Sequence, residues 1–401
     1  MRYRSGSGTL EQPKPGGKLS GSVALIVGTR PEAIKLAPVA AALAARGLPP
    51  TLIFTGQHPK LDAADHALAR YEAIHLECPG QEDPHLHVAA VSRNVAEALG
   101  RCAAELAVVQ GDTSSALGGA LGARLAGVAI AHVEAGLRSH DLENPWPEEE
   151  FRIAIDRDSE LLFAPTELSA ANLRRERVRG AVHVTGNTGI DAVLGIARGN
   201  AERRKDGAPR LLVTCHRREN WGEGIAEIGS ALRRIAEQRL ADVEIILHPN
   251  PFVSGQVRTM LIGRAGIRFR EPCSRSENIA AMSRCDLILS DSGGIQEEAA
   301  ALGVPLLVLR RTTERPEAIA SGNVELVGTD PERIVSAVTR RLMRKSMPPA
   351  SLPFGDGRAG ERIAAVIDEW LLHRGALSPN LTACPNLSPE FLICHRQIKF
   401  W

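Results

Sequence analysis

The chain has 401 residues, of which 44% are hydrophobic and 24% are charged, and its 48 basic and 47 acidic residues leave a formal net charge of +1. A chain of this length and composition is expected to form two domains with sizeable cores. The balanced charge argues against binding to nucleic acid or to a membrane surface, since proteins with those partners usually carry an excess of basic residues. No apolar run approaches the roughly 18 residues that a membrane-spanning helix needs.

The N-terminus and the cysteines both bear on the compartment. Residues 1–22 are rich in basic, Gly, Ser and Pro residues and contain no apolar segment, so we expect a disordered extension and not a secretory signal. The 7 cysteines are scattered and form no Cys-x-x-Cys pair, which indicates neither a zinc site nor a disulfide framework. We therefore expect a cytoplasmic protein with reduced thiols and no metal site.

Apolar, β-branched runs alternate with helix-length amphipathic stretches along most of the chain. This alternation predicts parallel sheets that are covered by helices on both faces. The predicted strands of a first set are Val23–Val27, Leu52–Thr55, Ala107–Gln110, Val128–Val133, Leu161–Ala164 and Val182–Thr185. Those of a second set are Leu211–Thr214, Val243–Leu247, Ile267–Arg270, Leu287–Ser290, Pro305–Leu309 and Val324–Val327.

A polar segment at 199–209, with Gly and Pro near its ends, separates the two sets and is predicted to be a linker. We therefore expect two Rossmann-like α/β domains, at 23–199 and 210–357, then a final helix at 358–373 that packs back toward the first domain, and an irregular tail at 376–401. Open parallel sheets bind ligands beyond the carboxyl ends of their strands, so the cleft between the halves is the expected site.

The turn after the first predicted strand, GTRP at 28–31, has the composition of an anion-binding site. Pro31 suits the first turn of a helix, and a helix N-terminus offers N–H groups and a partial positive charge to an anion. Arg30 and Lys35 would add positive charge. The same residues also fit a plain strand–helix turn, and they lack the glycine spacing of a dinucleotide-binding motif or a P-loop.

A counterpart follows the fourth predicted strand of the second set, where Ser292, Gly293 and Gly294 precede another helix. Ser292 can cap that helix, and the two glycines leave room for a phosphate against the backbone. Glu298, one turn into the helix, could accept hydrogen bonds from sugar hydroxyls. An ordinary capped turn explains the same residues, but two such turns at one cleft would suit a nucleotide diphosphate.

Three carboxylates lie just beyond predicted strands or begin the next helix. Asp112 lies in GDT after one strand, Glu134 in HVEAG after the next, and Glu148 at the start of the helix that follows. Each alone fits a helix cap or an ion pair. Three of them in neighbouring strand-end loops favour acid–base chemistry.

Two histidines end the first two predicted strands of the second set, His216 in CHRREN and His248 in HPNP. A histidine can protonate or bind a phosphate leaving group near neutral pH, although a lone histidine is more often structural. The sequence has no HExxH motif or tight acidic cluster, so metal binding is only weakly indicated.

Eight segments occur in an order that resembles the non-hydrolysing UDP-N-acetylglucosamine 2-epimerases, over about residues 23–372. The segments are GTRPEAIKLAPV (28–39), QGDT (110–113), HVEAGLRS (132–139), NPWPEE (144–149), TGNTGIDAV (185–193), CHRREN (215–220), SDSGGIQEEA (290–299) and TTERPEA (312–318). The resemblance implies the GT-B architecture, in which two Rossmann-like domains enclose a deep cleft. It also implies a homodimer that interconverts UDP-GlcNAc and UDP-ManNAc, without metal or other cofactor, for surface polysaccharide synthesis.

The resemblance implies roles for the residues of this chain that match the motifs of the family. It implies that Asp112, Glu134 and Glu148 are the acid–base carboxylates and that His216 stabilises or protonates the departing diphosphate. Glu298 would bind ribose hydroxyls. The residues implied to hold the diphosphate or the nucleotide sugar are Arg30, Lys35, Ser292, Gly293, Gly294 and Arg315.

The chain departs from the family pattern in two places. After the Glu-Pro at 271–272 the family usually carries aromatic residues, one of which stacks on uracil, whereas this chain has CSRSEN at 273–278. Arg275 is therefore a candidate to stack on the base instead. Many bacterial members are activated by a second UDP-GlcNAc, and here HPK at 58–60 differs from their pattern. The positions that match this regulatory site are Gln57, Gln81, Arg217 and His248.

Other activities stay open at this stage. They are a hydrolysing 2-epimerase that releases ManNAc, an epimerase of a modified UDP-HexNAc, a GT-B glycosyltransferase and a nucleotide-sugar sensor. The three retained carboxylates and the lack of a recognisable acceptor region count against the transferase. The missing aromatic keeps the sensor in consideration.

Overall fold

A computed structural model describes residues 22–59, 61, 67–143, 145–198, 207–215, 220–313, 315–320, 322–343 and 352–376. Most of the expected N-terminal extension, residues 199–206 of the expected linker and the tail from 377 lie outside these ranges. Within them the chain forms two parallel sheets, one of 7 strands and one of 6. No helix of the described residues combines the length and apolar composition that crossing a membrane requires.

The first sheet has the strand order β3-β2-β1-β4-β5-β6-β7, and all of its neighbours pair in parallel. Its strands are β1 (Ser22–Val27), β2 (Thr51–Phe54), β3 (Ala73–His75), β4 (Ala104–Gln110), β5 (Ala129–Val133), β6 (Leu161–Ala164) and β7 (Ala181–Val184). The accompanying helices are α1 (Arg30–Ala45), α2 (Pro84–Cys102), α3 (Ser114–Leu125), α4 (Glu148–Asp158), α5 (Glu167–Glu176) and α6 (Thr188–Arg198).

The second sheet has the order β10-β9-β8-β11-β12-β13, again with parallel neighbours. Its strands are β8 (Arg210–Thr214), β9 (Asp242–Ile246), β10 (Ile267–Arg270), β11 (Leu287–Ser290), β12 (Leu306–Val308) and β13 (Val324–Leu326). Its helices are α7 (Glu223–Glu237), α8 (Pro251–Leu261), α9 (Arg275–Arg284), α10 (Gly293–Leu302), α11 (Pro316–Ala320) and α12 (Pro331–Leu342). The last helix is α13 (Ala359–Ala376).

The α/β class and the parallel pairing predicted from the sequence are confirmed. Each predicted strand is present, with ends shifted by at most 3 residues. The prediction missed β3, a short edge strand whose Ala73 and His75 are exposed. An exposed strand of 3 residues carries no apolar run, so the pattern that reveals buried strands cannot reveal this one.

Helices cover both faces of the first sheet. Since successive side chains of a strand point to opposite faces, every position of a central strand is packed against one of these two layers. In β1, Leu25 and Val27 pack in a core that includes α1 and α13. Ala24 and Ile26 pack in a second core with α2 and α3. This explains why the strand is apolar at every position from Val23 to Val27 rather than at alternate ones.

Two chain crossings join the halves of the molecule. Helix α6 follows β7 of the first sheet and contacts α9 and α10 of the second half, while α13 follows the second half and packs against α1. The crossings touch at Gly186 and Gly355, where a Cβ on Gly186 would lie 3.1 Å from the Gly355 Cα. Both glycines have positive φ, +92° and +118°, so the close approach and the backbone conformation both exclude a larger residue.

We expect Gly122→Ala to destabilise the fold because α2 and α3 pack closely at this position. A Cβ on Gly122 would lie 2.7 Å from the Ser92 carbonyl oxygen and 2.9 Å from the Val95 Cβ, and such overpacking costs about 1–3 kcal/mol. The control is Gly100→Ala on α2, where a Cβ meets nothing within 4 Å and helix propensity favours Ala by about 1 kcal/mol. Urea unfolding measures both changes, and equal stability of the two variants would contradict the expectation.

Candidate active site

The loops at the carboxyl ends of the two sheets contact one another. Thr166, just after β6, donates a 3.0 Å hydrogen bond to Glu317 on α11. Asn187, just before α6, donates a 2.7 Å hydrogen bond to Glu297 on α10. Because these loops follow the strand ends, the polar side chains of both halves meet along one cleft.

Glu134 lies at the centre of the first half of this cleft. Its carboxylate accepts hydrogen bonds from Lys35 and Gln110, and from Asn187 at 3.4 Å. Its backbone is left-handed, with a φ of +72°, a conformation that costs a non-glycine residue about 1–3 kcal/mol. The N–H groups of Glu134 and Ala135 both donate to the Phe163 carbonyl oxygen at 3.1 Å, which holds the loop in this conformation.

The charge on Glu134 follows from two opposing effects. Burial acts to raise its pKa, but the adjacent Lys35 ammonium, with further support from Arg315 and Arg152, holds the pKa below the ordinary value. Since both pairing and hydrogen bonding favour the ionised form, Glu134 is a carboxylate at neutral pH. Its negative charge is therefore balanced inside the protein by the Lys35 ammonium.

Asp112 is held by helix α4. The Arg152 guanidinium lies 2.5 Å from Asp112 Oδ2 and 3.1 Å from Glu149 Oε2. Glu149 is buried and accepts hydrogen bonds from the backbone N–H groups of Ser139 and His140 at 3.0 and 3.1 Å. Arg152 and Glu149 were not singled out from the sequence, and they fix Asp112 and the 139–140 turn relative to the same helix.

Glu148 is the first residue of α4 and is partly buried. Its Oε2 atom is shielded from solvent and has no hydrogen-bond partner among the described residues. A buried carboxylate oxygen without a partner is unfavourable, so such groups are rare outside functional sites. Glu148 therefore has an oxygen free to take a proton or a hydrogen bond from a ligand.

His132 and Asp156 form a buried pair that the sequence analysis also did not single out. The His132 Nδ1 lies 2.7 Å from Asp156 Oδ1, and its Nε2 lies 2.8 Å from the Gly111 carbonyl oxygen. Asp156 also accepts from the Gly136 N–H at 3.1 Å. The pair thus ties down both loops that carry the candidate carboxylates. The signal in the sequence that could have revealed this pair is a histidine inside an apolar strand, because a buried imidazole needs hydrogen-bond partners.

The first predicted anion-binding turn is partly closed. Glu32 accepts hydrogen bonds from the N–H groups of Gly28 and Thr29, each at 2.6 Å, and from the Thr113 hydroxyl. Burial raises the pKa of Glu32, while these hydrogen bonds oppose the rise. The two N–H groups are therefore already occupied, and the positive charge at this turn comes from Arg30, which is exposed, and from Lys35.

The second predicted turn is open. Ser292 stands at the N-cap of α10, but its hydroxyl makes no capping hydrogen bond, contrary to the role the sequence suggested. Its N–H donates to the Ser290 hydroxyl at 3.0 Å. Among the described residues, none would lie within 4 Å of a Cβ on Gly294, which is exposed, so the turn is accessible to a ligand at this position.

Glu298 on α10 is buried and pairs with Arg275 of α9 at 2.9 Å. Burial raises its pKa, the Arg275 guanidinium counteracts the rise, and the neighbouring Glu297 adds to it. Glu297 is in turn paired with Arg315, whose Nε lies 2.6 Å away. Two residues expected to bind the nucleotide sugar, Glu298 and Arg315, are therefore each in an ion pair within the second half.

The remaining sequence-based candidates are distributed over both halves. Gln57 accepts a 2.7 Å hydrogen bond from Ser115, and its carbonyl accepts from Gly80, next to Gln81. His248 follows β9 in the second half and accepts from the Asn250 N–H at 2.9 Å. His216 and Arg217 lie outside the described residues. Among the residues that are described, no group of three or more acidic, His or Cys side chains could hold a metal ion.

This arrangement can be compared with known proteins. A family model described as UDP-N-acetylglucosamine 2-epimerase matches residues 41–368. The UDP-N-acetylglucosamine 2-epimerase of Yersinia pestis is 39% identical over 367 residues, which cover 85% of this chain and 96% of the relative. The chain belongs to the UDP-N-acetylglucosamine 2-epimerase family.

Solved structures of UDP-GlcNAc 2-epimerases share the fold. The enzyme from Neisseria meningitidis, bound to UDP-GlcNAc, is 33% identical with a TM-score of 0.77, covering 87% of this chain and 100% of that one. The enzyme from Methanocaldococcus jannaschii, in complex with UDP-GlcNAc and UDP, is 32% identical with a TM-score of 0.71, covering 87% and 99%. The similarity confirms the GT-B-like class for this 2-epimerase family member.

We expect Lys35→Met to destabilise this epimerase fold, because it leaves the Glu134 carboxylate buried without its ammonium partner. Breaking a buried pair costs about 3–5 kcal/mol, and the partial exposure of Lys35 places the expected loss at the lower end, about 3 kcal/mol. The control is Arg46→Met, which removes the exposed pair with Asp368 and should cost less than about 1 kcal/mol.

The loss should depend on pH in a defined direction. The folded state lowers the pKa of Glu134 below its ordinary 4.5, so the stabilisation is present above that value and is lost as the pH falls through the lowered folded pKa. The difference in unfolding free energy between wild type and Lys35→Met should therefore be largest near neutral pH and shrink on acidification. Urea unfolding across a pH series measures it, and a difference that grew toward acid would contradict this expectation.

Proposed function

We propose that the protein catalyses the reversible, non-hydrolytic epimerisation of UDP-GlcNAc to UDP-ManNAc at C2 of the sugar. The observation that carries this proposal is the ion network at the cleft, in which Arg152 joins Asp112 to the helix that carries Glu148 and helps hold Glu134 ionised. This network lies at the same cleft as the open turn at the start of α10. The bound UDP-GlcNAc in similar solved enzymes supports the substrate.

The chemistry requires such a cluster. The C2 hydrogen of an N-acetylhexosamine is not beside a carbonyl group, so direct deprotonation is prohibitively slow. If the C1–O bond breaks, its electron pair leaves with UDP and C1 becomes electron-deficient, which acidifies the C2 hydrogen. A base then takes that proton and a C1=C2 double bond forms, giving 2-acetamidoglucal and UDP. UDP adds back to C1 as a proton is delivered to the opposite face of C2.

The proposed roles combine the geometry of the described residues with the roles that the family resemblance implies. Glu134 is ionised and Glu148 has a free oxygen, so these two, with Asp112, are proposed as the acid–base groups for C2. Arg30, Lys35 and Arg315 would stabilise the diphosphate, with Ser292, Gly293 and Gly294 contacting it through the open turn of α10. Glu298 would exchange Arg275 for ribose hydroxyls, and His216 would assist departure of the diphosphate.

Further properties of the family enter as proposals. We propose that the protein forms a homodimer and supplies UDP-ManNAc for surface polysaccharide. We also propose that a second UDP-GlcNAc activates it at a site that includes Gln57, Gln81, Arg217 and His248. The hydrogen bond that Gln57 accepts from Ser115, at the start of α3, supports a link from that site to the cleft.

The test is proton NMR of UDP-GlcNAc incubated with the protein in D₂O. We expect UDP-ManNAc to appear with deuterium at C2 in both epimers, while UDP-sugar is conserved. Release of free ManNAc and UDP would identify a hydrolysing enzyme instead. Absence of both exchange and new product would overturn the proposal.

Variants of the acid–base groups should separate turnover from binding. Glu134→Gln, Glu148→Gln and Asp112→Asn should each lower kcat by about 10²–10⁴-fold, because a positioned acid or base contributes that much. UDP affinity, measured by isothermal titration calorimetry, should change little. A variant that keeps wild-type turnover would remove that residue from the proposed machinery. The conservative Glu150→Gln, an exposed neighbour on α4, serves as the control.

A further inference from the structure

Asn187 lies between the two halves of the molecule, and the mechanism proposed above gives it no role. It lies in the TGNT segment at 185–188, between β7 and α6, and its side chain is buried. Its Nδ2 donates to Glu297 Oε2 at 2.7 Å and to Glu134 Oε1 at 3.4 Å. One carboxylate belongs to the second half and the other to the first, so a single amide spans the cleft.

The orientation of this amide is fixed by its other end. The Asn187 Oδ1 accepts a 2.8 Å hydrogen bond from the Gly189 N–H, at the N-terminus of α6. Only the oxygen of the amide can accept, and only its nitrogen can donate. The NH₂ group must therefore point at the two carboxylates, since the reverse orientation would place an oxygen against them.

The backbone of Asn187 is also held at the crossing of the two chain segments. Its N–H donates to the Phe354 carbonyl oxygen at 2.6 Å. The preceding residue is Gly186, which touches Gly355 of the other crossing. A side chain anchored at this point keeps its place relative to both halves, whereas the carboxylates it contacts lie on separate halves.

The contacts continue on each side into residues with proposed roles. Glu297 is paired with Arg315, a proposed diphosphate ligand, at 2.6 Å. Glu134 is paired with Lys35 on the other side. The result is a continuous series of alternating donors and acceptors from Arg315 to Lys35, with Asn187 as the member that crosses from one half to the other.

We propose that Asn187 is a positioning residue for Glu134, whose side-chain amide orients that carboxylate relative to the nucleotide-binding half through Glu297. This rests on the proposed epimerisation, in which Glu134 must meet C2 of a sugar whose diphosphate also contacts the other half through Arg315 and the start of α10. Removing the amide donor takes a hydrogen bond from Glu297, which keeps its ion pair with Arg315, and releases Glu134 from one of its three donors. The loss should therefore fall on proton transfer and not on nucleotide binding.

Two substitutions separate this role from helix capping. Asn187→Asp keeps a capping oxygen for Gly189 but has no N–H donor for Glu134 and Glu297. Asn187→Ser also keeps a capping oxygen, adds no charge and does not reach the carboxylates. If both variants lose the same fraction of kcat, neither the loss of the helix cap nor the added negative charge can be the cause of that loss. Asn94→Asp, on the exposed face of α2, is the matched control.

Kinetics in D₂O, with UDP titration and thermal unfolding of each variant, test the proposal. Both Asn187 variants should lose about 10²-fold in kcat and in deuterium exchange at C2, as expected when a catalytic group is misplaced by about an ångström. The KM for UDP-GlcNAc and the Kd for UDP should stay within about threefold of wild type, which marks a loss confined to the chemical step.

Two results would overturn the proposal. If Asn187→Asp turns over at the wild-type rate, the residue acts only as a helix cap. If KM rises while kcat is unchanged in either variant, Asn187 serves substrate binding and not the orientation of Glu134. Failure of the wild-type protein to exchange deuterium at C2 would instead refute the proposed function, so the two failures are distinguishable.

Discussion

The cleft depends on the pairing of Lys35 with the buried carboxylate of Glu134. A carboxylate taken out of water is unstable unless a cation and hydrogen-bond donors replace the lost solvent. Here Lys35 supplies the cation, Gln110 and Asn187 supply donors, and the result is a charged side chain inside the protein. Because Lys35 lies on α1 and Glu134 follows β5, the pairing links that helix to the strand-end loop.

Helix α4 organises the rest of the first half. Its residues Glu149, Arg152 and Asp156 reach three different parts of the site: the 139–140 turn, Asp112 and the buried imidazole of His132. One rigid helix therefore sets the mutual position of side chains that come from separate loops. Such support is what holds acid–base groups at the distances that proton transfer requires.

The second half presents a different arrangement. The turn at the start of α10 is open, yet the side chains around it are paired with one another, Arg275 with Glu298 and Arg315 with Glu297. The hydrogen bond from Asn187 to Glu297 connects these internal pairs to the contacts that cross to the first half.

The amino-acid sequence by itself determined the sheets, the division into two halves, the strand-end location of Asp112 and Glu134, and the place of Glu148 at the start of a helix. These are properties of local pattern, because burial on both faces makes a strand apolar throughout and a parallel sheet places its loops at one edge. Only the tertiary structure decided that Glu32 occupies the N–H groups of the first turn, that Arg275 pairs with Glu298, and that Asn187 spans the cleft. Lys35 and Glu134 are 99 residues apart and Asn187 and Glu297 are 110 apart, and no local pattern encodes which distant charges meet once the helices have packed.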